Sequence, residues 1–124
     1  MHVMPAPVIF IGSYRIPDGA FETFASGIRD MSGFVETNVP GVRLFHTYVN
    51  DARTHGTTIY VHPNGASLAQ HLGAATNRID EGSQMVEVDR IQLLGSAPAM
   101  VVEELAADRS YRLELQEHLV GFTR

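Results

Sequence analysis

The sequence predicts an α+β domain, a βαββαβ sheet with both helices on one face. Two observations carry this. A β-branched and aromatic run from Ile59 to His62 stops at Pro63 and gives way to a helical pattern that continues through Leu72. The same strand-then-helix unit occurs earlier, from Val8 to Val39, and each copy is followed by another strand. A chain of 124 residues has room for one such domain and a real core, but not for two. A single domain over residues 1–124 is therefore expected.

Each element has its own signal. Residues 8–16 read as a strand rich in Val, Ile, Phe and Tyr. Pro17 to Gly19 breaks it, with Asp18 as the expected helix N-cap. Phe21, Phe24, Ala25, Ile28, Met31 and Val35 then recur in steps of three and four, which marks one helix face. Glu22, Ser26, Arg29, Asp30 and Glu36 occupy the solvent side. Gly27 and Gly33 weaken this helix by about 1 kcal/mol each relative to Ala, which the apolar anchors offset. Pro40 and Gly41 end it.

Strand two runs from Val42 to about Val49, and a turn-rich connection, Asn50 to Gly56, makes strand three, Thr57 to His62, its antiparallel neighbour. Helix two starts near Asn64 or Gly65 and is expected to bury Leu68, Ala69, Leu72, Ala75 and Ile79. A loop at Asp80 to Ser83 leads to strand four, Val86 to Leu94. Gly95 to Pro98 breaks the chain again before a short helix from Ala99 to Ala107. Tyr111 to Leu115 alternates apolar and polar, as a half-buried strand does.

Composition narrows the function classes. Hydrophobic residues make up 44% and charged residues 19%, the balance of a globular protein. The net charge is −5 with both signs interspersed, so no basic stripe awaits nucleic acid. The absence of cysteine excludes disulfides, thiolate metal sites and thiol nucleophiles. No apolar run approaches the ~20 residues of a membrane span, and the N-terminus lacks the features of a signal peptide. A soluble, cytoplasmic protein is expected.

Side-chain alternation makes both sheet faces apolar. Ile9 and Ile11 point one way while Val8, Phe10 and Tyr14 point the other; Leu44 and Tyr48 likewise oppose Phe45 and Val49. Two helices cover one face, and an antiparallel sheet greasy on both sides needs a second cover. A second copy supplies it most simply, so a homodimer through the sheet face is expected.

These residues resemble the antibiotic-biosynthesis-monooxygenase-like domains of the dimeric α+β barrel superfamily, which are ferredoxin-like. The resemblance rests on Tyr14, Arg15 and Ile16 closing strand one, on Pro40 and Gly41, on the helix-two run Ala66 to Leu72 with its His71, and on Leu93, Leu94 and Gly95 closing strand four. It covers about residues 8–107 and leaves 108–124 as a C-terminal extension. It implies cofactor-independent oxygenation of an electron-rich aromatic or polyketide-like substrate. Many members carry Trp where this chain has His62, nine residues before His71, and this chain has no Trp. The haem-degrading branch resembles an Asn–Trp–His arrangement; Gly12 and Ser13 stand where its Asn would be, which disfavours haem.

On this reading His71 and His62 are the candidate catalytic bases, because imidazole titrates near neutral pH. Tyr60 shares one side of strand three with His62, and His46 shares one side of strand two with Tyr48. If these sides meet, they wall a site for a flat aromatic ligand, with Tyr60, Tyr48, His46 and Arg15 as binding residues. The plainer alternatives are a packed or capping His71, cross-strand pairs that stabilise any sheet, and a solvated strand-end Arg15. The six histidines show no metal-binding spacing, the glycines no nucleotide-binding spacing, and Ser13 and Ser67 no visible base–acid partners. No metal or cofactor is expected. The rival to an oxygenase is a non-catalytic small-molecule-binding or structural dimer, with an isomerase or cyclase as a third reading.

Overall fold

A computed structural model describes residues 6–72 and 86–124. Five strands form one sheet: β1 (Val8–Arg15), β2 (Leu44–Val49), β3 (His55–His62), β4 (Glu87–Leu94) and β5 (Arg112–Gln116). Helix α1 spans Phe21–Asn38, α2 covers residues 65–72 of the described chain, and α3 spans Ala99–Ala107. The sheet order is β2-β3-β1-β4-β5. The first four strands are antiparallel, and β5 adds to the edge in parallel with β4. This is the expected α+β architecture with a fifth strand.

The differences from the expected boundaries have local causes. Asp18 does not cap α1. The Ala20 N–H donates to the Pro17 carbonyl at 3.1 Å with Gly19 at φ 76°, and this turn moves the helix start to Phe21, with Ala20 in the cap position and no side-chain cap. Asn64 does cap α2, its Oδ1 accepting from the Ser67 N–H at 2.9 Å. Strand β2 begins at Leu44, since the Val42 N–H closes a turn onto Val39. Strand β3 begins earlier, at His55, because Asn50 Oδ1 accepts from the N–H groups of Thr54 and His55 and shortens the loop. Of the expected helix-two core, Leu68 is buried while Ala69 and Leu72 pack beside it; Ala75, Ile79 and the loop at 80–83 lie outside the described residues.

The two sheet faces differ in cover. Val8, Phe10 and Tyr14 of β1, Tyr60 and His62 of β3, and Ile91 and Leu93 of β4 are buried beneath the helices with Phe24, Val35, Leu68 and Val101. On the opposite face the register aligns Leu44, Val61, Ile9 and Leu94 in one row across four strands, with Ile11 beside Ile59 in another. These side chains are half-buried, with Leu44 exposed. Among the described residues, no helix is long and apolar enough to cross a membrane.

Two glycines separate a backbone requirement from a tolerated weakness. Gly95 has φ 106°, and a Cβ there would sit 2.8 Å from the Pro7 carbonyl oxygen. Gly33 lies on the exposed side of α1 with nothing within 4 Å. Gly95→Ala should lower the unfolding free energy by about 2 kcal/mol or more, whereas Gly33→Ala should raise it by about 0.5–1 kcal/mol. Urea denaturation of both variants measures this; equal effects of one sign would contradict the assignment.

Candidate functional site

Three aromatic rings lie side by side under the helices because β2, β3 and β1 place them directly opposite one another. Phe45 pairs with Tyr60, and Tyr60 with Phe10. Both contacts are stacked, at 5.0 Å and 4.9 Å between centroids. This row is the floor on which α2 sits. His71, delivered by α2, rests against the Tyr60 ring at 4.6 Å.

Next to Tyr60 on the same face, His62 ends β3, and one helical turn of α2 brings Ser67 and His71 to it. Ser67 Oγ lies 2.9 Å from His62 Nδ1, and His62 Nε2 lies 3.3 Å from His71 Nδ1. Both imidazoles are fully buried. Nε2 of His71, the last atom of this chain, is buried with no hydrogen-bond partner among the described residues. A buried polar atom left unpaired costs about 1–3 kcal/mol, so this nitrogen marks a place where a ligand or water group would be stabilised. Burial lowers the pKa of both histidines from 6.5 to about 4, and for His71 the neighbouring His62 adds to it. Both are therefore neutral at pH 7, and their protons run in one direction along the chain. Nε2 of His71 is a donor if Ser67 donates, and an acceptor if Ser67 accepts. Burial likewise raises the Tyr60 pKa, so its phenol stays protonated.

Ser67 was expected to lack a base, yet His62 lies beside it. The approach of two segments distant in sequence made this pair. Its oxygen is closed over by Gly41, where a Cβ would sit 2.5 Å from it, so the serine serves the imidazole chain and is not presented to a substrate.

The remaining expected site residues lie elsewhere. His46 pairs with Ile59 and Tyr48 with Thr57, so both project from the face opposite Tyr60 and His62. The shared wall of two imidazoles and two phenols is not formed, because the hairpin register puts Phe45, not His46, across from Tyr60. Arg15 is at the far end of β1, paired with His55 while Val8 is paired with His62. That is roughly 24 Å away, seven residues at ~3.4 Å each. Its guanidinium makes a bidentate ion pair with Glu87, at 2.6 Å and 3.0 Å, and both side chains are exposed. Among the described residues no three His, Asp or Glu side chains are grouped to hold a metal ion.

A cleft of about 280 Å³ opens between α1 and the helix-side face of β2. Phe21, Phe24, Ile28, Arg29 and Ser32 line it from α1; Phe45, Thr47, Val49 and the expected site residue His46 line it from β2. Thr47 Oγ1 lies 2.9 Å from Thr58 Oγ1, which lies 2.9 Å from the Tyr14 hydroxyl. Sequence reasoning passed over this hydroxyl row: threonines on strands are ordinary, and no local pattern says which ones meet.

An imidazole that is harder to protonate folded than unfolded makes the unfolded chain the better proton binder between about pH 6.5 and about pH 4. The stability contributed by the neutral pair is complete above about pH 6.5 and is lost as the pH falls towards about 4. Urea midpoints should drop between about pH 7.5 and about pH 5, and His71→Gln, which does not titrate, should flatten that drop. A wild-type midpoint that does not move would contradict the buried neutral pair.

No family model and no curated protein sequence matches the chain. Solved structures do match. MupZ from Pseudomonas fluorescens aligns over 95% of this chain and 94% of its own, at a TM-score of 0.74 and 17% identity. Rv0793 from Mycobacterium tuberculosis aligns over 75% and 97%, at 0.63 and 14%. A structure named as an antibiotic biosynthesis monooxygenase aligns over 73% and 99%, at 0.62 and 17%. With this sheet order, these helices on one face and these structural neighbours, the chain has an α+β, ferredoxin-like fold similar to that of MupZ and of the structure named as an antibiotic biosynthesis monooxygenase.

Proposed function

We propose that the chain binds a small aromatic or polyketide-like substrate and promotes its oxygenation by dioxygen without a cofactor. The observation that carries this reading is the Nε2 of His71, which ends the Ser67–His62–His71 chain and has no hydrogen-bond partner among the described residues. The fold shared with a structure named as an antibiotic biosynthesis monooxygenase supports it. In this reading His71 Nε2 takes the proton of an acidic C–H or O–H. The resulting carbanion gives its electrons to dioxygen, the His71 imidazolium returns its proton to the peroxide anion, and loss of the second hydrogen on that carbon with cleavage of the O–O bond expels water and leaves a carbonyl.

The energetics are tolerable. Moving a proton from a phenol-like acid of pKa ~10 to an imidazole of pKa about 4 costs about 8 kcal/mol. The ion pair so formed returns about 4–5 kcal/mol at ~3.5 Å and an effective dielectric of ~20. The remaining ~3–4 kcal/mol is small beside the ~16 kcal/mol barrier of a 10 s⁻¹ turnover. His62 orients the accepting imidazole by hydrogen bonding to its Nδ1, and Ser67 holds His62 in turn.

A second reading, a small-molecule-binding dimer without chemistry, is favoured by one observation: the walls of the α1–β2 cleft include neither His62 nor His71. Either reading uses a homodimer. The row Leu44, Val61, Ile9 and Leu94 is the surface a twin sheet would cover. Leu119, Val120 and Phe122, more than four-fifths exposed beyond β5, add apolar chain available to a partner.

Oxygen uptake with anthrone should be measurable for the wild type and fall about 100-fold or more in His71→Ala, the usual size of a lost general base. Anthrone binding without uptake would favour the second reading, and unchanged turnover in both His71→Ala and His62→Ala would remove the imidazoles from the mechanism. Light scattering at micromolar concentration should give twice the chain mass, and Ile59→Asp should give the monomer. A wild-type monomer would overturn the dimer.

A further inference from the structure

We infer that two copies of this chain meet about a twofold axis running along β1, so that β2 of each lies over β5 of the other and His46 pairs with the partner's Glu114. This rests on the sheet-to-sheet homodimer proposed above and adds the orientation in which its halves meet. Strand order supplies the first step. β1 is the central strand of five, so a half-turn about it carries β2 onto β5 and β3 onto β4. Below the apolar row that begins at Leu44, two more rows cross the open face. One runs His46, Ile59, Ile11, Gln92 and Glu114; the next runs Tyr48, Thr57, Ser13, Arg90 and Arg112. Each row thus has an uncharged ring at its β2 end and a charged group at its β5 end.

The two ends lack what the other offers. Glu114 Oε1 is buried 3.4 Å from Arg90 Nε and has no hydrogen-bond partner among the described residues, which leaves Oε2 to take a donor from outside the subunit. Arg112 stands directly opposite Arg90, a like-charge pair, and has no ion-pair partner among the described residues. At the β2 edge His46 is exposed and Tyr48 is 60% exposed. A half-turn about β1 sets His46, a donor, against the partner's Glu114 carboxylate, and the Tyr48 ring beneath the partner's Arg112. The symmetry makes each contact twice. Between them Ile9 and Ile11 meet their own twins, and Val61 meets the partner's Leu94.

One other axis keeps the strands of the two sheets aligned, the axis across them. It lays every strand on its own copy, so Glu114 meets the partner's Glu114, like charge on like. Moving that axis by one residue matches Glu114 with Arg112, but it lays Ile9 and Val61 over the partner's Arg15 and His55 and uncovers the apolar row. Only the axis along β1 covers the apolar row and joins unlike groups at both edges.

The chain has no cysteine, so introduced cysteines report the orientation directly. Within one chain positions 46 and 114 lie on opposite sheet edges, about 19 Å apart at ~4.8 Å per strand, beyond the reach of a short bismaleimide. His46→Cys/Glu114→Cys should cross-link into a covalent dimer, and so should a mixture of the two single variants, while neither single variant should do so alone. Covalent dimers of each single variant alone would overturn this orientation in favour of the axis across the strands and leave the homodimer standing. A double variant that scatters light as a dimer yet does not cross-link would overturn it too. A monomeric wild type would overturn the homodimer and the orientation together. Sedimentation equilibrium tests the pair itself: His46→Ala and Glu114→Gln should each raise the dimer dissociation constant about tenfold, and the double variant should do no more than either alone. Multiplying effects in the double variant would overturn the His46–Glu114 pair.

Discussion

The alignment of Phe45, Tyr60 and Phe10 across three strands is the constraint on which the rest of the molecule depends. Because side chains alternate, fixing these rings on the helix face fixes every other residue of β3. His62 falls two positions further along, under α2, and Thr58 two positions back, towards the cleft. A slip of one residue would turn the rings to the open face and carry both polar chains with them. Stacking at about 5 Å on both sides of Tyr60 adds to ordinary burial and opposes such a slip.

The helix-side core thus holds two polar chains of the same construction in different surroundings. Ser67–His62–His71 ends in a nitrogen sealed from solvent; Tyr14–Thr58–Thr47 ends at a half-buried hydroxyl on a cleft wall. In each, every inner member is satisfied by its neighbours, and among the described residues the imidazole chain leaves His71 Nε2 without a partner at its end. Low polarisability around the imidazoles keeps them neutral, which preserves the hydrogen bond between them; two imidazolium ions at this spacing would repel strongly. The hydroxyl row does not change charge, and either oxygen of each pair can donate.

Much of the architecture was legible because it rests on local, periodic signals. The apolar steps from Phe21 to Val35 and the strand run ending at Pro63 each belong to one element, and all four main strands, α1 and α3 appear where these patterns place them. Boundaries moved where a turn intervened, as at Pro17 to Ala20 and at Asn50. The site was legible in part. His62 and His71 meet, as residues flanking a strand-to-helix turn can, but His46, Tyr48 and Arg15 do not join them, since their face and distance depend on pairing between strands.

The sequence by itself determined which stretches fold as helix or strand, which residues alternate onto each sheet face, and that both faces are apolar; these follow from covalent periodicity and need no partner. Only the tertiary structure decided that Tyr60 stands opposite Phe45 and not His46, that Ser67 reaches His62, and that Thr47 meets Thr58. Register and helix docking are set by the collective packing of residues far apart in the chain, and no local pattern encodes that sum.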